Sequence, residues 1–154
     1  MAVQPIPEGY PTLMPYLSVD DAAKAIDFYT QAFGAKERMR MPAPDGKIGH
    51  AELELGDSVL MLSDQFPQST SKPPSELGGT SAVFFLYVED VDAVVQQAVD
   101  AGAELSSPVE DMFWGDRSGR VTDPFGHNWQ LATHVEDVPP DQMAERAKEA
   151  MASM

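Results

Sequence analysis

The chain has 154 residues, no cysteine, and a formal net charge of −15 that comes from 25 acidic residues against 10 basic ones. This charge opposes binding to nucleic acid and to anionic membranes, so we expect neither as a partner. Without cysteine there is no disulfide framework, no thiolate zinc site and no thiol nucleophile, and this composition favours a cytoplasmic location. We find neither the pattern of a signal peptide nor an apolar run long enough to span a membrane.

A β-α-β-β-β module is predicted over residues 12–63, after an N-terminal extension over 1–11. Residues 12–19 predict a short strand, Asp20 is the expected N-cap of the following helix, and Gly34 ends that helix. The later strands alternate polar and apolar residues, as half-buried strands do. They are predicted at 36–42, 47–55 and 58–63, with turns at 44–46 and 56–57.

The same order of elements restarts after residues 64–80, which are rich in Pro, Ser and Gly and predict a linker or mobile loop. A second β-α-β-β-β module is predicted over 81–134, and a C-terminal tail with a short helix over 135–154. The elements predicted for the second module before its last hairpin are a strand at 81–88, a helix at 91–101 between Asp90 as N-cap and Gly102 as stop, and a strand near 103–106.

The last hairpin turns at Asp123-Pro124-Phe125-Gly126, a type I turn in which Pro supplies a fixed φ and Gly a left-handed residue. Residues 114–122 and 127–133 then form two antiparallel strands, with Asn128 opposite Thr122 and Gln130 opposite Arg120. This register predicts a polar face and an apolar face. The polar face carries Trp114, Asp116, Ser118, Arg120, Asn128 and Gln130, and the apolar face carries Trp129 and Leu131.

The two modules match each other in sequence at a nearly constant offset. The segment L-S-V-D-D-A at 17–22 corresponds to L-Y-V-E-D-V at 86–91, and G-A at 34–35 corresponds to G-A at 102–103. A repeat of this period indicates a duplicated supersecondary unit. Each copy buries its sheet only against helices and against a second copy.

The repeat, the segment F-Y-T-Q-A-F-G-A inside the first helix, and the stretch F-W-G-D-R-S-G-R-V-T-D-P-F-G-H-N-W together resemble the vicinal oxygen chelate superfamily. This is the fold of glyoxalase I, the bleomycin resistance proteins and the extradiol dioxygenases. The sequence of these segments looks most similar to the PhnB-like branch of the superfamily. The resemblance implies an α+β fold of two β-α-β-β-β modules, whose curved mixed sheets form a cup-shaped cavity. It also implies a homodimer.

In the metal enzymes of that superfamily four cavity positions carry the metal ligands. The resemblance places these positions at Met14, Met61, Val83 and Gln130 of this chain. Thioether and valine side chains do not hold Zn²⁺, Ni²⁺ or Mn²⁺, and one glutamine is insufficient. We therefore expect no metal and no cofactor at the family position.

A cavity with apolar walls and a few polar groups is expected instead, because small-molecule sites are usually built in this way. On the predicted strands, His50 and Glu52 project in parallel into that cavity. They could act as a general base, or they could form a polar pair that satisfies itself at the rim. The predicted ligand-binding residues are Tyr16, His50, Glu52, Met61, Phe85, Trp114, Asp116, Arg120, Asn128 and Gln130.

The other polar groups of the predicted cavity also leave alternatives open. Trp114 and Asp116 could contact a cationic or aromatic ligand, or they could be a core tryptophan beside a solvated carboxylate. Arg117 and Arg120 could hold an anion, or they could pair with the surplus acids of the chain. No role is predicted for His134.

Two functions of different classes follow from this sequence. The first is a metal-free binding protein for a small, cationic or aromatic molecule, similar to the drug-sequestering members of the superfamily. The alternative is a lyase or isomerase that uses His50 and Glu52 as a base, with or without a rebuilt divalent metal site.

Overall fold

The computed structural model describes residues 2–154 and divides into two compact units. Unit 1 ends at Thr80, and unit 2 covers Ser81–Met154. Each unit contains one four-stranded mixed sheet and helices, so the predicted α+β class with two β-α-β-β-β modules is confirmed.

Unit 1 has the strand order β1-β4-β3-β2, with β1 parallel to β4 and the other neighbours antiparallel. Helix α1 packs on strands β3, β2 and β4 of this sheet. The elements are β1 (Tyr16–Val19), α1 (Ala22–Phe33), β2 (Lys36–Pro42), β3 (Ile48–Leu55), β4 (Ser58–Asp64) and the short helix α2 (Pro74–Leu77).

Two predictions at the start of unit 1 were wrong. The first strand begins at Tyr16 rather than at residue 12, and Pro15 directly before it has no N–H with which to extend a ladder. The N-cap of α1 is Asp21, not Asp20. Asp21 is the extended residue next to the first helical one, and its carboxylate accepts a hydrogen bond from the backbone N–H of Lys24 at 3.1 Å.

The predicted stop of α1 at Gly34 is confirmed, since this residue has a left-handed backbone with φ of 71°. The buried face of the helix follows a helical period through Ala22, Ile26 and Tyr29, which are at most 2% exposed. Asp64 at the end of β4 links the first residue of α1 to the first residue of β3. Its carboxylate accepts from the backbone N–H of Ala22 at 2.9 Å and of Ile48 at 2.7 Å.

Unit 2 repeats this arrangement with the strand order β5-β8-β7-β6, and β5 is parallel to β8. The elements are β5 (Val83–Tyr87), α3 (Val91–Ala101), β6 (Glu104–Asp111), β7 (Asp116–Thr122), β8 (Asn128–His134) and α4 (Pro140–Ala152). Strand β6 is longer than predicted from residues 103–106, and Trp114 lies in the turn before β7 rather than in the strand.

The hairpin between β7 and β8 has the predicted turn and register. The backbone N–H of Gly126 donates to the carbonyl of Asp123 at 3.0 Å, and Gly126 has φ of 90°. Arg120 lies opposite Gln130, and Val121 opposite Trp129. The Asp123 carboxylate accepts further bonds from the backbone of the turn and from the Trp129 indole at 3.0 Å, which the sequence analysis did not foresee.

The C-terminal tail contacts unit 2 itself. The backbone N–H groups of Val135 and Glu136 donate to the carbonyl of Gly115 at 2.9 and 3.0 Å. Arg146 of α4 donates to the carbonyl of Phe113 at 3.2 Å and forms an ion pair with Glu136 at 2.6 Å. The tail is thus anchored on the turn that also carries Trp114.

Candidate functional sites of the two units

The duplicated sheets present equivalent rows of side chains with different chemistry. In unit 1 the row across β1, β4 and β3 is Tyr16, Met61 and Glu52. In unit 2 the corresponding row across β5, β8 and β7 is Phe85, Gln130 and Arg120. At this position unit 1 therefore carries the acidic side chain of Glu52, and unit 2 carries the positively charged side chain of Arg120.

The unit 1 cluster consists of Tyr10, Tyr16, His50 and Glu52. Glu52 is only 5% exposed, and its two oxygens accept from the Tyr10 hydroxyl at 2.7 Å and from His50 Nε2 at 2.8 Å. Burial by itself raises the pKa of Glu52, but the hydrogen bonds from His50 and Tyr10 outweigh it and hold the pKa below its ordinary value. Glu52 is therefore a carboxylate at neutral pH.

The charge on Glu52 determines which nitrogen of His50 carries a proton. A carboxylate only accepts hydrogen bonds, so the proton of the neutral imidazole lies on Nε2. The other nitrogen, Nδ1, is then unprotonated, and it accepts a hydrogen bond from the Tyr16 hydroxyl at 2.8 Å. The three side chains form a chain of hydrogen bonds from a buried carboxylate to a phenol that is half exposed.

Tyr10 was missed by the sequence analysis because the segment before residue 12 has no periodic pattern. The guanidinium of Arg38 lies 4.5 Å above its ring and donates to the carbonyl of Gly9 at 3.1 Å. The hydrogen bond to Glu52 raises the pKa of the Tyr10 hydroxyl, and burial adds to this shift. The N-terminal extension thus supplies a hydrogen-bond donor to the acid of unit 1.

A cavity of about 310 Å³ lies beside this cluster in unit 1. We call it the unit 1 cavity. Each residue that lines it carries a hydroxyl or an amide in its side chain, and part of the lining comes from the predicted linker. The lining residues are Tyr16, Ser18, Ser63, Gln68, Ser69, Thr70 and Ser71.

The unit 2 cluster is centred on Asp116, which is 2% exposed. Its carboxylate accepts from the Tyr87 hydroxyl at 2.8 Å, from the Trp114 indole at 2.9 Å and from His134 Nδ1 at 2.9 Å. Burial by itself raises the pKa of Asp116. The three hydrogen bonds lower it by more than burial raises it, so the pKa lies below its ordinary value and the carboxylate stays ionised. Asp116 is a buried acceptor whose oxygens are already bonded, not the solvated carboxylate that the sequence left open.

His134, for which no role was predicted, bridges two carboxylates. Its second ring nitrogen lies 2.7 Å from Asp137, which is fully exposed. The hydrogen bond that His134 donates to Asp137, and then the one that it donates to Asp116, raise the pKa of His134 above its ordinary value. Asp116 lies on another strand, 18 residues from His134 in the sequence, so no local sequence pattern indicates this pairing.

The unit 2 cavity has a volume of about 530 Å³ and lies on the sheet face of unit 2. One wall is aromatic and apolar, and the floor is a hydrogen-bonded row in which Arg120 Nε donates to Gln130 and Gln130 donates to Ser118, both at 3.0 Å. The lining residues are Val83, Phe85, Ser107, Pro108, Glu110, Met112, Trp114, Ser118, Gly119, Arg120 and Gln130.

The ten predicted ligand-binding residues thus fall into three groups. Phe85, Trp114, Arg120 and Gln130 line the unit 2 cavity, whereas Tyr16 lines the unit 1 cavity and joins His50 and Glu52. The remaining three line neither cavity. Met61 is half-buried between Tyr16 and Glu52 on the sheet, Asn128 accepts from the Thr122 hydroxyl at 2.9 Å, and Asp116 anchors Trp114.

Within residues 2–154 no group of three or more His, Cys, Asp or Glu side chains is placed to hold a metal ion. None of the helices in that range is long and apolar enough to cross a membrane.

Known proteins match this chain over most of its length. The model of the Glyoxalase/Bleomycin resistance protein/Dioxygenase superfamily matches residues 11–131. The uncharacterized protein Mb0911c of Mycobacterium bovis is 49% identical over 136 residues, which cover 86% of this chain and 90% of that protein.

Solved structures agree with this match. The crystal structure of TioX from Micromonospora sp. ML1 is 30% identical, with a TM-score of 0.64 over 81% of this chain and 100% of TioX. The PhnB protein from Bacillus cereus is 17% identical, with a TM-score of 0.64 over 80% of this chain and 99% of that protein. At that identity the PhnB protein shows a common fold alone.

Proposed function

The chain belongs to the glyoxalase, bleomycin resistance protein and dioxygenase superfamily, and we propose that it binds a small organic molecule in the unit 2 cavity. The resemblance inferred from the sequence is confirmed at the level of the superfamily. One fold hosts many activities, so membership alone does not identify the ligand.

The observation that carries this proposal is the composition of the unit 2 cavity. Its volume of about 530 Å³ lies within the range of about 300–1,000 Å³ that is usual for small-molecule sites. Phe85, Met112 and Trp114 supply apolar and aromatic surface, and the bonded row of Arg120 and Gln130 supplies fixed polar groups. Apolar walls with a few oriented polar groups are the usual construction of a ligand site.

We also propose that binding needs no metal at the family position. The residues that the resemblance places there are Met14, Met61, Val83 and Gln130. Their donors are thioethers and one amide, a set that does not fit a divalent metal bound by nitrogen and oxygen. Elemental analysis of the purified, tag-free protein tests this part, and one tightly bound metal per chain would refute it.

A screen of aromatic fragments by saturation-transfer NMR tests the binding proposal. We expect hits whose affinity falls in Phe85→Ala and Met112→Ala, because both side chains form the cavity wall. Leu105→Ala is the matched control, since Leu105 is an exposed apolar residue of the same unit outside the cavity lining. The proposal fails if no fragment binds, or if Leu105→Ala weakens binding as much as the wall variants do.

A specific observation favours a second candidate function, proton transfer by unit 1. The Glu52 carboxylate orients His50, and His50 is placed to take the proton of Tyr16 at the edge of the unit 1 cavity. A carboxylate, an imidazole and a hydroxyl in series are an arrangement for general acid–base chemistry. An isomerase or lyase acting on a small hydroxylated substrate would fit the hydroxyl-rich lining.

Deuterium exchange tests this second candidate. Small α-hydroxyketones would be incubated with the protein in D₂O, and exchange at the carbon next to the carbonyl would be followed by NMR. We expect Tyr16→Phe and His50→Gln to abolish catalysed exchange, whereas Tyr87→Phe, a tyrosine of unit 2, leaves it unchanged. Exchange that never exceeds the buffer rate would refute the candidate.

The resemblance also implies a homodimer, and we retain this as a proposal. Both sheets have edge strands, which favour pairing with another chain. Light scattering coupled to gel filtration measures the molar mass in solution, and a mass of one chain at micromolar concentration would contradict the proposal.

A further inference from the structure

Among the arginines in the part of the chain that the structure describes, Arg120 differs from the others in having no acidic partner. Within residues 2–154, Arg38, Arg40, Arg117 and Arg146 each lie within 4.0 Å of a carboxylate. Arg120 forms no such ion pair, although the chain has 25 acidic residues against 10 basic ones. The sequence left both arginines of β7 with the same two alternatives, and the structure separates them.

Arg117 pairs with acidic residues of the chain itself, which was the second of these two alternatives. Its guanidinium bonds Asp92 at 2.8 and 3.0 Å and Asp111 at 3.2 Å, which raises its pKa further above the ordinary arginine value. Arg120 lies three residues further along β7 and lines the unit 2 cavity. Toward the residues that the structure describes, only its Nε donates, to the side-chain oxygen of Gln130.

The guanidinium of Arg120 is held in place, and its terminal nitrogens bond no acceptor among residues 2–154. Gln130 accepts from Nε at 3.0 Å, and Gln130 is itself oriented by a bond to Ser118 at 3.0 Å. The two terminal NH₂ groups can then donate in parallel to one carboxylate, the bidentate geometry that arginine favours. Orientation before binding lowers the entropic cost of forming these bonds.

We propose that the unit 2 cavity binds an organic anion, namely a planar aromatic carboxylate whose carboxylate meets Arg120 and whose ring meets Phe85 and Trp114. This inference rests on the proposed binding function and specifies its ligand class. The equivalent position of unit 1 carries Glu52, whose oxygens are already occupied by Tyr10 and His50. Unit 2 offers no such internal partner to Arg120.

The other charges near the cavity do not favour a cationic ligand. Asp116 is buried beneath Trp114 and bonded to three donors. Glu110 is exposed to solvent and lies outside ion-pair distance of Arg120. The net charge of −15 repels anions at long range, but at physiological salt this repulsion is screened beyond about 8 Å, so the local cation decides.

Three isosteric probes test the inference: 1-naphthoate, the neutral 1-naphthamide and the cation 1-naphthylmethylammonium. Their dissociation constants would be measured by NMR titration of the full chain. We expect naphthoate to bind about tenfold or more tightly than naphthamide, since hydrogen bonds to charged groups are the stronger ones. The ammonium probe is expected to bind most weakly.

Substitutions then assign the preference to one residue. Arg120→Gln is expected to remove the advantage of naphthoate over naphthamide, while Arg120→Lys keeps part of it as a point charge. Arg117→Gln, on the same strand, is the matched control and should leave the preference unchanged. Thermal unfolding of each variant verifies that it folds.

Each other outcome has a defined meaning. Equal binding of naphthoate and naphthamide by the wild-type protein overturns the anion inference but leaves the binding function standing. Tighter binding of the ammonium probe, or loss of the preference in Arg117→Gln, also overturns the inference. Absence of binding by all three probes and by the fragment screen refutes both proposals.

Discussion

Replacing Asp116 by alanine removes the acceptor at the centre of the unit 2 cluster. Three donors lose their partner: the Tyr87 hydroxyl, the Trp114 indole and His134 Nδ1. Hydrogen bonds to charged groups contribute about 1.5–3 kcal/mol each. Tyr87 and His134 are about half exposed and can turn to water, so most of the loss comes from Trp114. We expect the free energy of unfolding to fall by about 2–4 kcal/mol.

Asp116→Asn should be milder, with a loss of about 1–2 kcal/mol. The amide oxygen can still accept from Trp114 and Tyr87, while the NH₂ group faces His134. Asp137→Asn is the matched control, because Asp137 also bonds His134 but is fully exposed. A surface pair of this kind contributes little, and we expect a change within about 0.5 kcal/mol.

Urea unfolding at pH 7 followed by tryptophan fluorescence measures these losses. Both tryptophans of the chain, Trp114 and Trp129, lie in unit 2, so the signal reports that unit alone. The m-values should match the wild type, which identifies a change in stability rather than in compactness. If Asp116→Ala were as stable as Asp137→Asn, the hydrogen-bonded role of Asp116 would be refuted.

Three further predictions concern the charges and the backbone. An NMR titration should give His134 a pKa above its unfolded value of about 6.5, and Asp137→Asn should lower the pKa of His134. The stability that the charged His134 contributes is fully present below about pH 6.5 and is lost as the pH rises through the pKa of His134 in the folded protein. Gly115→Ala should destabilise unit 2 and release the tail to proteolysis, because Gly115 has φ of 102° and its added Cβ would collide with the carbonyl of Glu136; unchanged melting would contradict this. Asp21→Ala should cost about 1 kcal/mol in chemical denaturation as the loss of an N-cap, and no loss would mean that another group caps the helix.

The low pKa of Asp116 has a separate consequence for acid stability. A carboxyl whose folded pKa lies below its unfolded value of about 3.9 contributes stability above that pH. This contribution is lost as pH falls through the folded pKa. Unfolding curves of the wild type and Asp116→Asn should therefore converge in acid, and curves that stay parallel to the lowest pH would contradict the shift.

Local patterns in the sequence were sufficient to predict most of the fold. Turn residues, helix caps and strand alternation act over a few residues, so the hairpin at Gly126, the helix stop at Gly34 and the register of Arg120 opposite Gln130 follow from them. The errors at Asp20 and residues 12–15 are boundary errors. Either of two adjacent aspartates can cap a helix, and only the backbone angles decide between them.

The site contacts could be predicted less well because they join residues distant in sequence. The pair His50 and Glu52 was found from its spacing on one strand, but its partners Tyr10 and Tyr16 are 42 and 34 residues away. The different roles of Arg117 and Arg120 depend on Asp92, which is 25 residues from Arg117 on a helix. No spacing rule identifies such partners before the fold is known.

The most direct test of aromatic-carboxylate binding in the unit 2 cavity is a titration of ¹⁵N-labelled protein with 1-naphthoate, read from its two indole N–H signals. Trp114 lines the unit 2 cavity, whereas Trp129 is 3% exposed and bonds Asp123. The account predicts a saturable shift of the Trp114 signal, with the Trp129 signal unmoved. Equal shifts of both signals, or no shift at either, would contradict it.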